Sequence, residues 1–191
     1  MDKFFIPILL GSGRRGRLSE YAARYVLERA EVYAQFETEL LDVRDFVAAP
    51  FTGRHKEGEL EGVANEKAKN WSSIMSRADG LVIVSPEYNH GYPGELKLML
   101  DQLYKEYNRK PVGICGAAGG LGGGRMVEVL RTSLIELQMV PIRQAVYFKN
   151  VYDLFDATGK IKEPSYEERL KKFFDELFWY AKALKIARAN I

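Results

Sequence analysis

The chain has few of the residues from which disulfides and zinc sites are built. Its 191 residues include one cysteine and two histidines. A single cysteine excludes an intramolecular disulfide, and two histidines with one cysteine cannot form a zinc-ligand set of the usual spacing. A chain of this length can fold by burying its own apolar surface. We therefore expect a cytoplasmic protein without a metal site.

Long apolar runs and an excess of one charge are also missing. The longest apolar run, residues 4–10, contains Pro7 and is much shorter than the ~20 residues of a membrane span. The 28 basic and 26 acidic residues leave a formal net charge of +2, which is too balanced for a dedicated polyanion binder. The sequence therefore predicts no signal peptide, no membrane partner and no nucleic-acid partner. A small anion remains a suitable ligand.

Short apolar runs alternate with longer amphipathic stretches along the chain. The candidate strands are residues 4–10, 39–43, 81–85, 111–116 and 142–148. The candidate helices are residues 19–33, 64–77, 95–107, 125–138 and 166–187. This alternation predicts a doubly wound α/β sandwich of three layers, with residues 1–191 as a single domain. The irregular stretches 45–62 and 150–164 are predicted to be loops.

The loop after the first strand has the composition of an anion site. Residues 11–19 read GSGRRGRLS and lead into the first helix. Glycines let the backbone approach a ligand, and the N–H groups at a helix start point at it. Ser12, Ser19 and three arginines add hydrogen-bond donors, which favours a terminal phosphate. A solvated basic turn is the simpler alternative.

The same loop also contains the weak dinucleotide pattern G-x-G-x-x-G, at Gly11, Gly13 and Gly16. Asp42 lies near the end of the second strand, where an acid that binds ribose would be expected. Any glycine-rich loop matches this pattern readily, and Gly16 is not followed by the Lys-Ser/Thr pair of a Walker A loop. A Rossmann NAD(P)-dependent enzyme stays open as an alternative.

Two further loops follow the third and fourth strands, and ligands bind beyond the carboxyl ends of such strands. Residues 85–97 read SPEYNHGYPGELK, in which stiffening prolines and flat aromatic faces can hold a planar ring. Six of the ten residues in 116–125, GAAGGLGGGR, are glycine, which indicates backbone lying against a ligand. Ordinary turns are the alternative. A catalytic triad of Ser85, His90 and Asp101 lacks the nucleophile elbow that it would need.

Together these loops resemble the NADPH-dependent FMN reductase family of flavodoxin-like proteins, over about residues 4–148. The segments that carry the resemblance are GSGRRGRLS, SPEYNHGYPGELKLMLDQLY and GAAGG. The resemblance implies a five-stranded parallel sheet of order 2-1-3-4-5, an oxidoreductase with FMN as cofactor and NADPH as electron donor, and a homodimer or tetramer.

The resemblance also assigns residues to the cofactor. The phosphate falls to Ser12, Arg14 and Ser19, helped by the backbone of Arg17 and Leu18, and Gly11 of the same loop is also assigned to cofactor binding. The isoalloxazine ring falls to the other two loops, at Pro86, Glu87, Tyr88, Asn89, Gly91, Gly116, Ala117, Gly119 and Gly120. The family chemistry belongs to the flavin, so no catalytic side chain is obligatory, and the backbone at Tyr88 and Asn89 supports the reaction.

The resemblance implies a ping-pong reaction in which NADPH reduces FMN and a small acceptor then reoxidises it. A flavin, a quinone, an azo compound or a metal oxyanion would serve as acceptor. The main alternative is a flavodoxin-type electron carrier, but such carriers tend to be acidic and this chain is slightly basic. Apolar residues beyond the core stripes, at Leu98, Tyr104, Trp179 and Tyr180, indicate self-association.

Overall fold

The computed structural model describes residues 3–47 and 63–190. Its strands are β1 (Phe4–Phe5), β2 (Ile8–Leu10), β3 (Phe36–Glu37), β4 (Leu40–Asp42), β5 (Leu81–Ser85), β6 (Pro111–Ala117) and β7 (Val140–Phe148). Its α-helices are α1 (Ser19–Glu31), α2 (Val43–Phe46), α3 (Val63–Arg77), α4 (Gly94–Leu100), α5 (Gly124–Glu136), α6 (Val151–Leu154) and α7 (Ser165–Ala189).

The main sheet has five parallel strands in the order β4-β2-β5-β6-β7. Leu9 of β2 pairs with Leu41 on one side and with Ile83 on the other, and Ile83 pairs with Ile114. These side chains are buried because both faces of the sheet are covered. The predicted order 2-1-3-4-5 is confirmed.

Helices cover the sheet on both faces and form two separate cores. Helices α1 and α7 contribute Val26, Phe173 and Leu177 to one core. Helices α3, α4 and α5 contribute residues such as Trp71 and Leu130 to the other. The predicted three-layer sandwich is therefore correct, and right-handed crossovers of this kind bring the carboxyl ends of β2, β5 and β6 to the same edge of the sheet.

The predicted first strand is interrupted. Pro7 separates β1 from β2 because proline has no N–H to donate and has a fixed φ. As a result β1 leaves the main sheet and pairs with β3 in a small two-stranded sheet. The second predicted strand is also shorter than expected, since Val43 begins helix α2.

The predicted helix over residues 95–107 was wrong in its second half. Helix α4 ends at Leu100, and a short 3₁₀ helix follows at Lys105–Tyr107. Leu103 and Tyr107 are nevertheless fully buried, and the hydroxyl of Tyr107 accepts a hydrogen bond from Nε1 of Trp71 at 2.7 Å. The helical spacing of these apolar residues therefore reflects the burial of their side chains and does not indicate a continuous helix.

The two predicted loops contain short regular elements. Residues 45 and 46 belong to α2, while 48–62 lie outside the described residues. The stretch 150–164 contains α6 and an isolated bridge between Phe155 and Ile161. In the described part of the chain, no helix has the length and apolar character needed to cross a membrane. The same residues contain no cluster of acidic, histidine and cysteine side chains that would bind a metal.

Candidate functional site

The three predicted loops meet in one pocket at the carboxyl edge of the sheet. A fourth segment, the start of α6, joins them. The lining residues are Arg14, Gly16, Arg17, Leu18, Ser19, Pro86, Glu87, Tyr88, Ala117, Ala118, Gly119, Val151 and Tyr152. Residues distant in the sequence are therefore brought together as the topology requires.

The first loop presents unused hydrogen-bond donors to this pocket. Helix α1 begins after Leu18 without a hydrogen bond from a capping side chain. Oγ of Ser19 is buried and has no hydrogen-bond partner within the described part of the chain. Arg14 is exposed and lines the same pocket. Because a buried hydroxyl rarely stays unpaired, this set fits a bound phosphate and hence an FMN phosphate group.

Arg17 has a different environment, although its residue also lines the pocket. Its side chain is only 3% exposed, and its guanidinium donates to both carboxylate oxygens of Asp42 and to the carbonyl of Ser12. The Asp42 carboxylate is partly desolvated, which opposes ionisation. Hydrogen bonds from Arg17 and Arg44 outweigh this effect and hold the pKa of Asp42 well below its ordinary value.

Asp42 is also the N-cap of α2, where its side chain accepts the backbone N–H of Arg44 at 3.0 Å. The carboxylate is therefore engaged by two arginines and a helix start. This engagement disfavours the ribose-binding role that a Rossmann site would need from it.

Ser12 joins the first loop to the second. Its buried Oγ lies 2.9 Å from the hydroxyl of Tyr88 and accepts the N–H of Arg14 at 3.3 Å. The adjacent Gly13 N–H donates to Oε1 of Glu95 at 2.7 Å. Gly11 is closely packed, because a Cβ there would lie 2.9 Å from Cδ2 of Leu96, and that methyl group would have to shift. Ser12 and Gly11 thus shape the loop from inside the protein.

The second loop contains a strained turn. Tyr88 and Gly91 exchange backbone hydrogen bonds of 2.9 and 3.0 Å, and the two residues between them, Asn89 and His90, have φ values of +49° and +70°. Two left-handed central residues are the pattern of a type I′ turn, which non-glycine residues adopt at a cost. Asn89 and His90 are both exposed. Strain of this kind is common at ligand sites.

Glu87 holds the second loop against the third. Its carboxylate pairs with Arg125 and accepts the N–H of Met126 at 3.3 Å, in the first turn of α5. Helix α5 follows Gly123 and has no side-chain cap of its own, so Glu87 acts as a cap from a different loop. Desolvation favours the neutral acid, but the hydrogen bonds from Arg125 and Met126 lower the pKa of Glu87 overall.

The glycines of the third loop have two separate explanations. A Cβ at Gly116 would lie 2.3 Å from the carbonyl oxygen of Gly122, and Gly122 and Gly123 have positive φ. These positions need glycine for the fold itself. A Cβ at Gly119 or Gly120 would meet nothing within 4 Å. Internal packing therefore does not require glycine at either position, and Gly119 also lines the pocket, whereas Gly120 does not.

The segment after β7 was missed by sequence reasoning. Asn150 and Val151 donate their N–H groups to the carbonyls of Gly119 and Ala118, at 3.1 and 3.0 Å. Tyr152 lines the pocket with 74% of its surface exposed. An aromatic residue four positions after the last strand was the available signal, since the carboxyl end of that strand lies at the same edge of the sheet.

The alternative triad finds no support in the local contacts of its members. The hydroxyl of Ser85 donates to the carbonyl of Pro86 at 3.0 Å, and Asp101 forms an ion pair with Lys97. His90 lies in the exposed turn described above.

The sheet is parallel and doubly wound, and a helix start with free hydrogen-bond donors lies at its carboxyl edge together with two loops that can contact a ligand. These features define a nucleotide-binding α/β protein of the flavodoxin-like type. The sequence comparison is more specific. The family model described as NADPH-dependent FMN reductase matches residues 6–153. The chain belongs to this family, and it is an oxidoreductase with FMN as cofactor and NADPH as donor.

Individual proteins to which the chain is similar support the same family assignment. The chain is 33% identical over 147 residues to an NAD(P)H-dependent FMN reductase of Schizosaccharomyces pombe, covering 74% of this chain and 72% of the relative. It is 28% identical over 177 residues to an FMN-dependent NADPH-azoreductase of Staphylococcus haemolyticus, covering 89% and 91%. The structure of FerB, a flavoenzyme NAD(P)H:(acceptor) oxidoreductase from Paracoccus denitrificans, has the same fold. Its TM-score is 0.75 at 19% identity, covering 94% of this chain and 98% of FerB.

Proposed function

We propose that this protein passes electrons from NADPH through bound FMN to a small acceptor, in a ping-pong reaction. The acceptor is a flavin, a quinone, an azo compound or a metal oxyanion. One observation supports this proposal above the others, namely the unpaired buried hydroxyl of Ser19 beside an uncapped helix start and an exposed arginine. Bound FMN supplies the hydride transfer chemistry, and the protein supplies position and electrostatics.

The first loop binds the phosphate of the cofactor in this proposal. Ser19 donates its hydroxyl and its backbone N–H at the start of α1, and Arg14 supplies a charged donor from the rim. The next two N–H groups, of Glu20 and Tyr21, already donate to the carbonyls of Arg17 and Leu18. Ser12 has its hydroxyl engaged by Tyr88 and acts mainly by fixing the loop. A phosphate held in this way places the rest of the cofactor against the other two loops.

The second and third loops bind the ring. The N–H groups of Tyr88 and Gly91 are engaged with each other's carbonyls, so the donors that this turn offers are the N–H groups of the exposed Asn89 and His90. Preorganised donors of this kind stabilise negative charge that develops on a ring. Gly119 and Gly120 let the backbone of the third loop lie close to the cofactor. No side chain of the chain is needed as acid or base in this arrangement.

NADPH and the electron acceptor bind one after the other at the same open side of the pocket. Tyr152 lines the pocket and is 74% exposed, so it offers an aromatic face to either substrate. The azoreductase relative makes azo compounds a rational first acceptor to test. If the reaction is ping-pong, initial rates at several acceptor concentrations give parallel double-reciprocal lines, and intersecting lines would contradict the proposal.

We also propose that residues 1–191 act as one FMN-binding domain that forms a homodimer or tetramer in the cytoplasm. Trp179 and Ile186 of α7 are 65% and 58% exposed, and Leu98 and Tyr104 are half-buried. Sedimentation of the wild type and of Trp179→Glu tests this proposal. A lower molar mass for the variant supports an interface on α7, and a monomeric wild type contradicts self-association.

The deciding experiment for the function is an anaerobic visible spectrum of the protein reconstituted with FMN, before and after addition of NADPH. We expect a bound-flavin spectrum that NADPH bleaches and that a quinone or azo dye restores. Bound flavin that NADPH leaves oxidised would favour an electron carrier. Failure to bind flavin at all would show that this pocket is not a flavin-binding site.

A further inference from the structure

Arg17 has protein acceptors for each of its three guanidinium nitrogens. Nη1 and Nη2 donate to the two carboxylate oxygens of Asp42, with Nη1 to Oδ1 at 3.0 Å. Nη1 also donates to the carbonyl of Ser12, and Nε donates to Oε2 of Glu20 at 3.4 Å. This is the two-pronged geometry that distinguishes arginine from lysine.

These contacts cross the first loop and tie it to the edge strand of the sheet. The hydrogen bond from Arg17 to the carbonyl of Ser12 joins the two ends of the six-residue segment 12–17 at the centre of the loop. The ion pair with Asp42 attaches this segment to the end of β4. Arg17 directly precedes Leu18 and Ser19, whose backbone starts α1. The orientation of the helix start therefore depends on where Arg17 is held.

Arg14 provides the contrast within the same loop. It is exposed and lines the pocket, and its guanidinium forms no ion pair with another described residue. Arg17 has its charge compensated by a carboxylate that is 19% exposed. One arginine is therefore available to an anion, and the other is engaged inside the protein.

We propose that the Arg17–Asp42 pair is a positioning device for the phosphate site and that the guanidinium of Arg17 is not itself a phosphate ligand. The pair holds the loop so that the hydroxyl and the backbone N–H of Ser19 face the pocket. This inference rests on the proposed function, because it takes the anion at this site to be the phosphate of the flavin cofactor.

A positioning role for Asp42 predicts a change in FMN affinity opposite to the change expected from its negative charge alone. If Asp42 acted only as a nearby negative charge, its neutralisation would strengthen binding of an anion. If Asp42 holds Arg17 and thereby the loop, its neutralisation weakens binding. Arg17→Lys separates the two roles in a second way, because lysine keeps the positive charge but loses the two-pronged contact.

The test compares the dissociation constants of FMN and riboflavin, measured by flavin fluorescence on apoprotein. Riboflavin lacks the phosphate, so the ratio of the two constants reports the phosphate site alone. For Asp42→Asn and for Arg17→Lys we expect FMN affinity to fall about tenfold or more, with riboflavin affinity unchanged. The double variant should lose little more than either single variant, because both changes break one unit.

The control is Arg44→Ala. Arg44 contacts the same carboxylate from an exposed position, and its removal should change FMN affinity by no more than about twofold. Thermal melting of each apoprotein identifies variants that have lost the fold. If Asp42→Asn does not fold, Arg17→Lys decides alone.

Unchanged or tighter FMN binding in Asp42→Asn would overturn the proposal, as would normal FMN affinity in Arg17→Lys. Equal affinity of the wild type for FMN and riboflavin is a different result. It would show that this pocket does not bind the flavin phosphate, and it would remove the phosphate assignment on which the inference rests.

Discussion

The hydroxyl of Tyr88 lies 2.9 Å from Oγ of Ser12 and joins two loops that are 76 residues apart in the sequence. Ser12 follows β2 and Tyr88 follows β5, which are neighbouring strands of the sheet. The contact couples the loop assigned to the cofactor phosphate to the loop assigned to its ring. A change in either loop should therefore affect the other.

Arg14→Ala tests the phosphate assignment directly. Loss of a hydrogen bond to a charged group costs about 1.5 to 3 kcal/mol, so FMN affinity should fall by roughly 10- to 150-fold. Flavin fluorescence titration measures this change. Arg15→Ala is the matched control, since Arg15 is an exposed neighbour outside the pocket lining. An unchanged FMN dissociation constant in Arg14→Ala would exclude the residue from the phosphate site.

Glu87→Gln tests the link between the second and third loops. The substitution removes a charged pair with Arg125 and weakens the cap on α5, so we expect the free energy of unfolding to fall by about 1 to 2 kcal/mol at neutral pH. Because the pKa of Glu87 is lowered in the folded state, its contribution is present above the unfolded pKa and is lost as pH falls through the folded value.

Urea denaturation at neutral and at acidic pH measures this contribution. The difference between the wild type and Glu87→Gln should shrink at acidic pH. Glu128→Gln removes an exposed ion pair with Arg131 on the same helix and should have a small effect. A pH-independent difference for Glu87→Gln would show that the carboxylate charge is not what stabilises α5.

Periodicity was sufficient to locate the strands of the main sheet and the loops that follow them, while the order of the strands was implied by the family resemblance. Apolar runs such as Leu81–Ser85 are buried on both faces, and their sequence pattern shows this directly. Once the strands are known, the topology requires the loops after them to share one edge. The exact ends of the strands were harder to predict because they depend on local backbone conformation, as the break at Pro7 shows.

The side-chain partners within the site could not be predicted. Arg17 and Asp42 are 25 residues apart, and Glu87 and Arg125 are 38 apart. An arginine in a glycine-rich loop has the same sequence signature whether it faces a ligand or a buried carboxylate. Only the tertiary placement of β4 beside β2 brings Asp42 within reach of Arg17.

Lys110 provides a test of stability against pH. Its ammonium group is buried and donates to the carbonyls of Met75 and Ser76. Desolvation, aided by the charge of Arg188, lowers the pKa of Lys110 to about 8. Between this value and the ordinary lysine pKa the unfolded chain binds more protons than the folded one, so the contribution of Lys110 to stability rises with pH.

The measurement compares the wild type with Lys110→Met in urea at neutral pH and near pH ~10. The stability of the wild type relative to the variant should increase by about 2 kcal/mol over this interval. Lys105→Met, at an exposed lysine in the same region, controls for general effects of alkaline pH and should show little change. A constant difference between wild type and Lys110→Met would mean that the group does not titrate in this range.

Gly119→Val and Gly116→Val separate the two kinds of glycine in the third loop. A Cβ at Gly119 meets no protein atom within 4 Å, and its φ lies outside the left-handed region, so the variant should fold and melt like the wild type. Its side chain would occupy space assigned to the flavin, so we expect FMN binding to be lost. Gly116→Val should instead lower the melting temperature, because its Cβ would lie 2.3 Å from the carbonyl oxygen of Gly122. Normal flavin occupancy in a folded Gly119→Val variant would place the cofactor away from the third loop and restrict the ring site to the turn at Tyr88.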